Sequence, residues 1–208
     1  MLPATGLTIP LVLALPARAR VVDFADGCRA AALDFVNGVA RQADKEQLAL
    51  WLRGPYRDHV VVLARSRTRR MGAATVVPGA LEKLLTQARQ EVEAALERAR
   101  DPEEGVSWGF SALSSGLVYR CQDAAGAQGW VPVAHPRMRL ADRVLSLVAA
   151  DYLLRTPDYE EALYTCSACG LVAFDAGRAV LGVCGAHARS DIRELKPLQA
   201  TPIAWVAS

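Results

Sequence analysis

Cysteines and a histidine occur near the end of the chain in the order Cys166-x2-Cys169-x14-Cys184-x2-His187. This spacing constrains the fold more than any other feature. A two-residue gap lets both side chains of one tight turn reach a single metal ion. Repeating the gap supplies the remaining two corners of a tetrahedron. Four sulfur and nitrogen donors at about 2.0–2.3 Å suit zinc, and soft thiolates favour zinc over magnesium or calcium. The competing readings are a disulfide or redox pair, buried cysteines that only pack, and an iron–sulfur cluster with one histidine ligand. A redox Cys-x-x-Cys needs no later Cys-x-x-His, so the spacing predicts one structural zinc ion per chain, on Cys166, Cys169, Cys184 and His187.

The residues between the two pairs support a small folded unit. "LVAF" (171–174) and "AVLGV" (179–183) read as short apolar strands, with turn chemistry at Asp175-Ala176-Gly177-Arg178 between them. Gly170 lets the chain bend back over the metal. "GAHARSDIREL" reads as a helix whose positive end faces the thiolates. The stretch resembles the zinc ribbons and treble-clef fingers. "CSACG" resembles their cysteine knuckle, with Ser167 where proline is frequent, and "CGAH" resembles their second ligand pair. The resemblance covers residues 164–195 and implies a structural site. It carries no single function, because proteins with such modules bind protein, RNA or DNA. Residues 1–155 resemble no family.

Beyond the motif, the 208 residues allow one large domain with a small appendage. Charge is balanced: residues 1–104 hold fifteen basic and thirteen acidic side chains, and 105–208 hold nine of each. Neither half has the basic excess of a polyanion-binding domain. No apolar run reaches the roughly 18–20 residues needed to cross a bilayer. The run Leu11–Leu15 followed by Ala17-Arg18-Ala19 imitates a signal peptide. It lacks a preceding basic residue, and prolines sit at positions 3, 10 and 16 around it. It is expected to be a buried strand over 7–15, and the metal-type cysteines fit a reducing cytoplasm.

Apolar positions at Phe24, Cys28, Ala32, Phe35 and Val39 predict a helix, and a second covers about 44–53. Residues 59–65 are expected to form a strand. Leu81, Leu85, Ala88, Val92, Ala95 and Ala99 form a heptad seam on a long helix that ends at Asp101-Pro102. Such a seam serves a core or a dimer interface, and its small residues favour the core. Residues 106–134 read as strands broken by polar turns. They include a hairpin around "DAAGAQ" whose second strand is demoted to an edge by Pro132. Residues 138–155 are again helical, and Thr156-Pro157 starts a short helical turn.

Weaker candidates complete the reading. Arg65, Arg67, Arg69 and Arg70 can grip phosphate or an acidic partner, although a solvated loop has the same composition. Arg137, Arg139 and Arg143 crowd a helix start, where cations oppose the dipole, which points to an acidic partner or an internal carboxylate such as Asp142. His59 and His135 have no nucleophile or carboxylate near them in sequence in a recognisable arrangement, although distant partners can converge in the fold, and Cys28 and Cys121 read as core.

The expectation is therefore an α+β body over 1–156 with a zinc-binding module over 157–208, its tail docked through Ile203 and Trp205. The function expected first is that of a non-enzymatic cytoplasmic adaptor or regulatory protein acting through protein–protein contacts, with homodimerisation open. A nucleic-acid-binding regulator using the zinc module and the Arg65–Arg70 loop comes second, and an enzyme with an unrecognised site third. No membrane partner is expected.

Overall fold

Residues 12–62, 78–135 and 138–188 are described by the computed structural model. The apolar spacing from Val21 onward builds α1 (Val21–Asp34), which buries Ala25, Cys28, Ala31 and Ala32. α1 continues into a π-helical turn, Phe35–Val39, and then α2 (Ala40–Gln42). Asp44 caps α3 (Lys45–Arg53) by accepting from the Glu46 N–H at 2.8 Å. Trp51 pins α3 to α1: its indole N–H donates to the Ala31 carbonyl at 2.9 Å, and its ring contacts those of Phe35 and Tyr56.

Residues 59–65 are strand only at β2 (Val61–Val62) within the described range, and His59 belongs to a 3-10 turn, Arg57–His59. The long helix α4 (Pro78–Arg100) buries its whole seam, from Leu81 to Ala99, in the main hydrophobic cluster. It packs there against α5 (Pro102–Ser114) and α6 (Leu140–Tyr152).

α5 corrects the expectation of strands after residue 105. Asp101 ends one helix and caps the next, accepting from the N–H groups of Glu103 and Glu104 at 2.9 Å. Pro102 occupies the first helical position and two glutamates follow in the first turn, where the helix dipole favours them. Gly105 looks like a breaker but serves a close approach. A Cβ there would lie 2.5 Å from the Tyr152 hydroxyl and 3.2 Å from the Ala99 carbonyl.

The hairpin expected around "DAAGAQ" is β3 (Val118–Gln122) and β4 (Gln128–Ala134), antiparallel with Val118 opposite Pro132. β1 (Leu13–Ala14) pairs parallel to β3, and β2 pairs parallel to β4, giving the order β1-β3-β4-β2. β4 is thus an inner strand, not the edge that Pro132 implied. The Val133 N–H donates to the Leu117 carbonyl, and alternation along an antiparallel pair turns the Pro132 nitrogen away from β3. On its other side the β2 ladder begins only at Val61 opposite Val133, so proline withholds no ladder bond.

After α6, α7 (Thr156–Ala162) leads into β5 (Leu163–Thr165), which pairs antiparallel with β6 (Val172–Phe174). The expected pairing of "LVAF" with "AVLGV" does not form. Asp175 accepts from the Arg178 N–H and starts α8 (Ala176–Ala179), so "AVLGV" becomes a helical turn and loop. The Cys184 carbonyl accepts from His187 and Ala188 N–H at 2.9 Å, the geometry of a helix start. The rest of "GAHARSDIREL" lies outside the described residues, as do residues 7–11, Arg65, Arg67, Arg69, Arg70, Arg137, Ile203 and Trp205. The architecture is α+β, and Tyr159, Leu163 and Val172 share the main cluster with α1, α4 and α6. No helix among the described residues is long and apolar enough to cross a membrane.

Candidate metal centre

Cys166 and Cys169 occupy the tip of the β5–β6 hairpin. The Cys166 N–H donates to the Leu171 carbonyl and its own carbonyl accepts from the Gly170 N–H, both at 2.8 Å, which closes the knuckle. Gly170 takes φ +66°, a left-handed conformation that glycine adopts without strain. The loop carrying the second pair is laid over this tip: the Ser167 N–H and hydroxyl both donate to the Gly182 carbonyl, at 2.9 and 3.1 Å.

These turns bring Cys166, Cys169, Cys184 and His187 together, with one donor atom of each within 4.8 Å of all the others. Cys169 Sγ lies 3.8 Å from Cys184 Sγ. His187 Nδ1 lies 3.2 Å from Cys184 Sγ and 3.7 Å from Cys166 Sγ. A tetrahedron with bonds of about 2.0–2.3 Å has edges of about 3.3–3.8 Å, close to these three separations, and the four donors together could hold one metal ion. The arrangement holds ligands of both pairs on one point, as the spacing predicts.

The protons of the cluster are already poised. The Cys184 N–H donates to Cys166 Sγ at 3.3 Å. This backbone donor, helped by the N–H groups of Cys169 and Ala168, holds the Cys166 thiol down to about 6. Contact with His187 lowers the Cys184 thiol, and the same contact raises the imidazole. The Leu171 N–H favours the Cys169 thiolate, but desolvation and the neighbouring sulfurs outweigh it and raise that thiol. Metal binding takes the deprotonated ligands and releases the protons that remain.

The other two cysteines lie elsewhere. Cys28 is fully buried on α1 and desolvation pushes its thiol far up, while burial pushes Cys121 in β3 up to about 11. His59 Nδ1 donates to the Pro55 carbonyl at 2.7 Å, and its ring rests against Phe24. Arg139 pairs with Asp142 at 2.7 Å and Glu91 at 3.1 Å, so its cation meets the chain's own carboxylates. Arg143 lies over the Tyr56 ring.

Sequence reasoning missed the side chains that hold the knuckle. Asn37 and Arg41 bond to the backbone of Val172, Cys169 and Gly170. The signal available was slight: a polar asparagine followed by glycine inside the apolar helical run "FVNGVAR". Nothing local in that run points to a strand more than a hundred residues away.

Compared with protein-family models, curated proteins and solved structures, the chain matches none.

Proposed function

We propose that this protein is a non-enzymatic adaptor or regulatory protein of the cytoplasm, acting through protein–protein contacts on a surface organised by one structural zinc ion. The observation that carries this reading is the placement of Val180 and Leu181. They are 89% and 63% exposed, on the loop between the ligand pairs that the cluster fastens to the knuckle. Exposed apolar side chains held on a rigid loop suit protein contact. Three thiolates and a histidine suit zinc, as in zinc-ribbon and treble-clef modules. Four protein donors leave zinc no open position for a water nucleophile, which favours a structural role. A reducing compartment keeps such thiols available for metal.

A nucleic-acid-binding role is the second reading, favoured by Arg41 and Arg178 beside the centre and by Arg189, Arg193 and Lys196 after it in sequence. It ranks lower because three thiolates around zinc leave the site negatively charged, and the nearby guanidinium groups offset that charge.

The test is capture of partners from the protein's own cell extract, with and without nuclease. It compares wild type with a Val180→Ser, Leu181→Ser double variant. Protein partners that survive nuclease and are lost with the variant support the adaptor reading. Partners lost with nuclease instead support the second.

A further inference from the structure

The amide of Asn37 makes both hydrogen bonds that a neighbouring strand would make with Val172. Nδ2 donates to the Val172 carbonyl at 2.7 Å, and Oδ1 accepts from the Val172 N–H at 2.9 Å. Inside the hairpin the bonding residues alternate. The Cys166 N–H donates to the Leu171 carbonyl, and the Asp175 N–H to the Ala162 carbonyl. Alternation turns both polar groups of Val172 to the outer edge of β6, where one side chain satisfies them.

Four residues on, Arg41 occupies the same helix face. Its Nη1 donates to the Cys169 carbonyl at 3.3 Å and its Nη2 to the Gly170 carbonyl. At the far end of β6, the Arg29 guanidinium stacks 4.1 Å from the centre of the Phe174 ring. One continuous helical segment, residues 21–42, therefore grips the chain from Cys169 to Phe174 at three heights. The π turn lies at the middle of this grip, with Asn37 as its third residue. An extra residue in a turn rotates everything after it by about 100° relative to what precedes it. The π turn thus sets the phase of Arg41 against that of Arg29.

We propose that Asn37 and Arg41 are positioning residues for the metal centre, holding the first ligand pair where the second can meet it. The inference rests on the reading that Cys166, Cys169, Cys184 and His187 bind a metal. It goes further in making metal affinity depend on a helix that contributes no ligand. A knuckle fixed before metal arrives loses little conformational freedom on binding, whereas a loose one must be ordered at that moment. The dependence is reciprocal, so a bound metal strengthens the grip of the helix on β6.

The experiment loads the full-length chain with one equivalent of zinc and competes it against a chromophoric chelator. A parallel sample carries cobalt(II), whose visible bands report the geometry of the ligands. Loss of a partner that orients ligands costs about 10–100-fold in metal affinity, so Asn37→Ala should weaken zinc by at least about tenfold and alter the cobalt bands. Asn37→Asp should do the same, because its carboxylate cannot donate to the Val172 carbonyl. Arg41→Met should act in the same direction with a smaller loss. Val131→Ala opens a cavity in the separate cluster formed with Leu15, Val21 and Cys121. It should lower the melting temperature while leaving competition and spectrum unchanged. If wild type holds zinc and Asn37→Ala holds it equally well, the positioning role is overturned and the metal site stands. If Val131→Ala loosens zinc as much as Asn37→Ala, the effect is one of general stability and the role is again overturned. If wild type itself takes up neither metal, the metal reading falls first and takes the inference with it.

Discussion

Arg29 donates from a single guanidinium nitrogen to both carboxylate oxygens of Asp151, at 3.2 and 3.1 Å, across 122 residues of sequence. Asp151 has 0% exposure, and the Tyr159 hydroxyl donates to it at 2.9 Å. Arg155 approaches it at 3.7 Å, and Arg29 and Arg155 share a second carboxylate, Asp26, at 2.5 and 2.6 Å. This network joins α1, α6 and α7 beneath the ring of Phe174. Burial raises the Asp151 carboxyl, and the two arginines with Tyr159 oppose that rise.

Removing Arg29 strips a buried carboxylate of its main partner. Breaking a buried pair from one side costs about 3–5 kcal/mol, more than the pair itself contributes. Arg29→Met is therefore expected to lower stability by about that amount in urea unfolding. The double variant Arg29→Met, Asp151→Leu removes the uncompensated charge and should recover most of the loss. A double variant as unstable as the single one would mean that packing around Phe174, rather than charge, explains the effect.

Asp26 governs the acid side of the same network. The hydrogen bond from Arg155, chief among the attractions of the two arginines, holds its carboxyl below the ordinary 3.8. A carboxyl lowered on folding stabilises the protein above its unfolded value, and that contribution is lost as pH falls through the folded value. Asp151 is raised and has the opposite sign: its contribution is present at low pH and is lost as pH rises through its folded value. Asp26→Asn should therefore be less stable than wild type at pH 7. The gap should close as pH falls below 3.8. Denaturant midpoints at pH 7, 5, 4 and 3 measure it, and a gap independent of pH would remove the charge argument.

These relationships show what a sequence can disclose. The helices around Phe24, Leu85 and Val144 are legible because one face of each recurs at three to four residues. The four donors are legible because both pairs are local and only fourteen residues separate them. α5 was hidden by Gly105, Gly109 and three serines, all poor helix formers, and the two glycines serve close packing on Tyr152. "AVLGV" looked like a strand because its composition is apolar, but Asp175 caps a helical turn there and leaves Val180 and Leu181 in solvent. Asn37 and Asp151 are polar residues within apolar helices. Val172 and Arg29, to which they bond, lie 135 and 122 residues away in sequence, and only the tertiary fold brings them together.

Metal content tests the centre directly. The purified, untagged protein should hold one zinc per chain by elemental analysis. Cys166→Ser, Cys169→Ser, Cys184→Ser and His187→Ala should each weaken retention, because each leaves three donors for a four-coordinate ion. Cys28→Ser and Cys121→Ser should not, since neither thiol belongs to the donor cluster. Acid or a strong chelator should release the ion, and hydrogen exchange should then rise across 163–188 more than across α4. Full zinc in all four ligand variants would displace the site. A uniform rise in exchange would mean that metal and body unfold as one unit.

The last prediction separates protein contact from nucleic-acid contact. If Arg65, Arg67, Arg69 and Arg70 gripped a duplex, neutralising about four phosphates would give log affinity a slope of about −3 to −4 against log salt. Four arginines without flanking aromatic residues supply phosphate contacts but little means of stacking bases. The balanced charge of both halves of the chain also denies the long-range attraction that usually brings such proteins to DNA. Binding to duplex or single strand should therefore be no tighter than about micromolar at roughly 150 mM salt, where non-specific contacts alone give about 10⁻⁴–10⁻⁶ M. A gel-shift series on wild type and on a variant with all four arginines changed to glutamine measures it. Nanomolar binding that this variant loses would replace the adaptor reading with the nucleic-acid one.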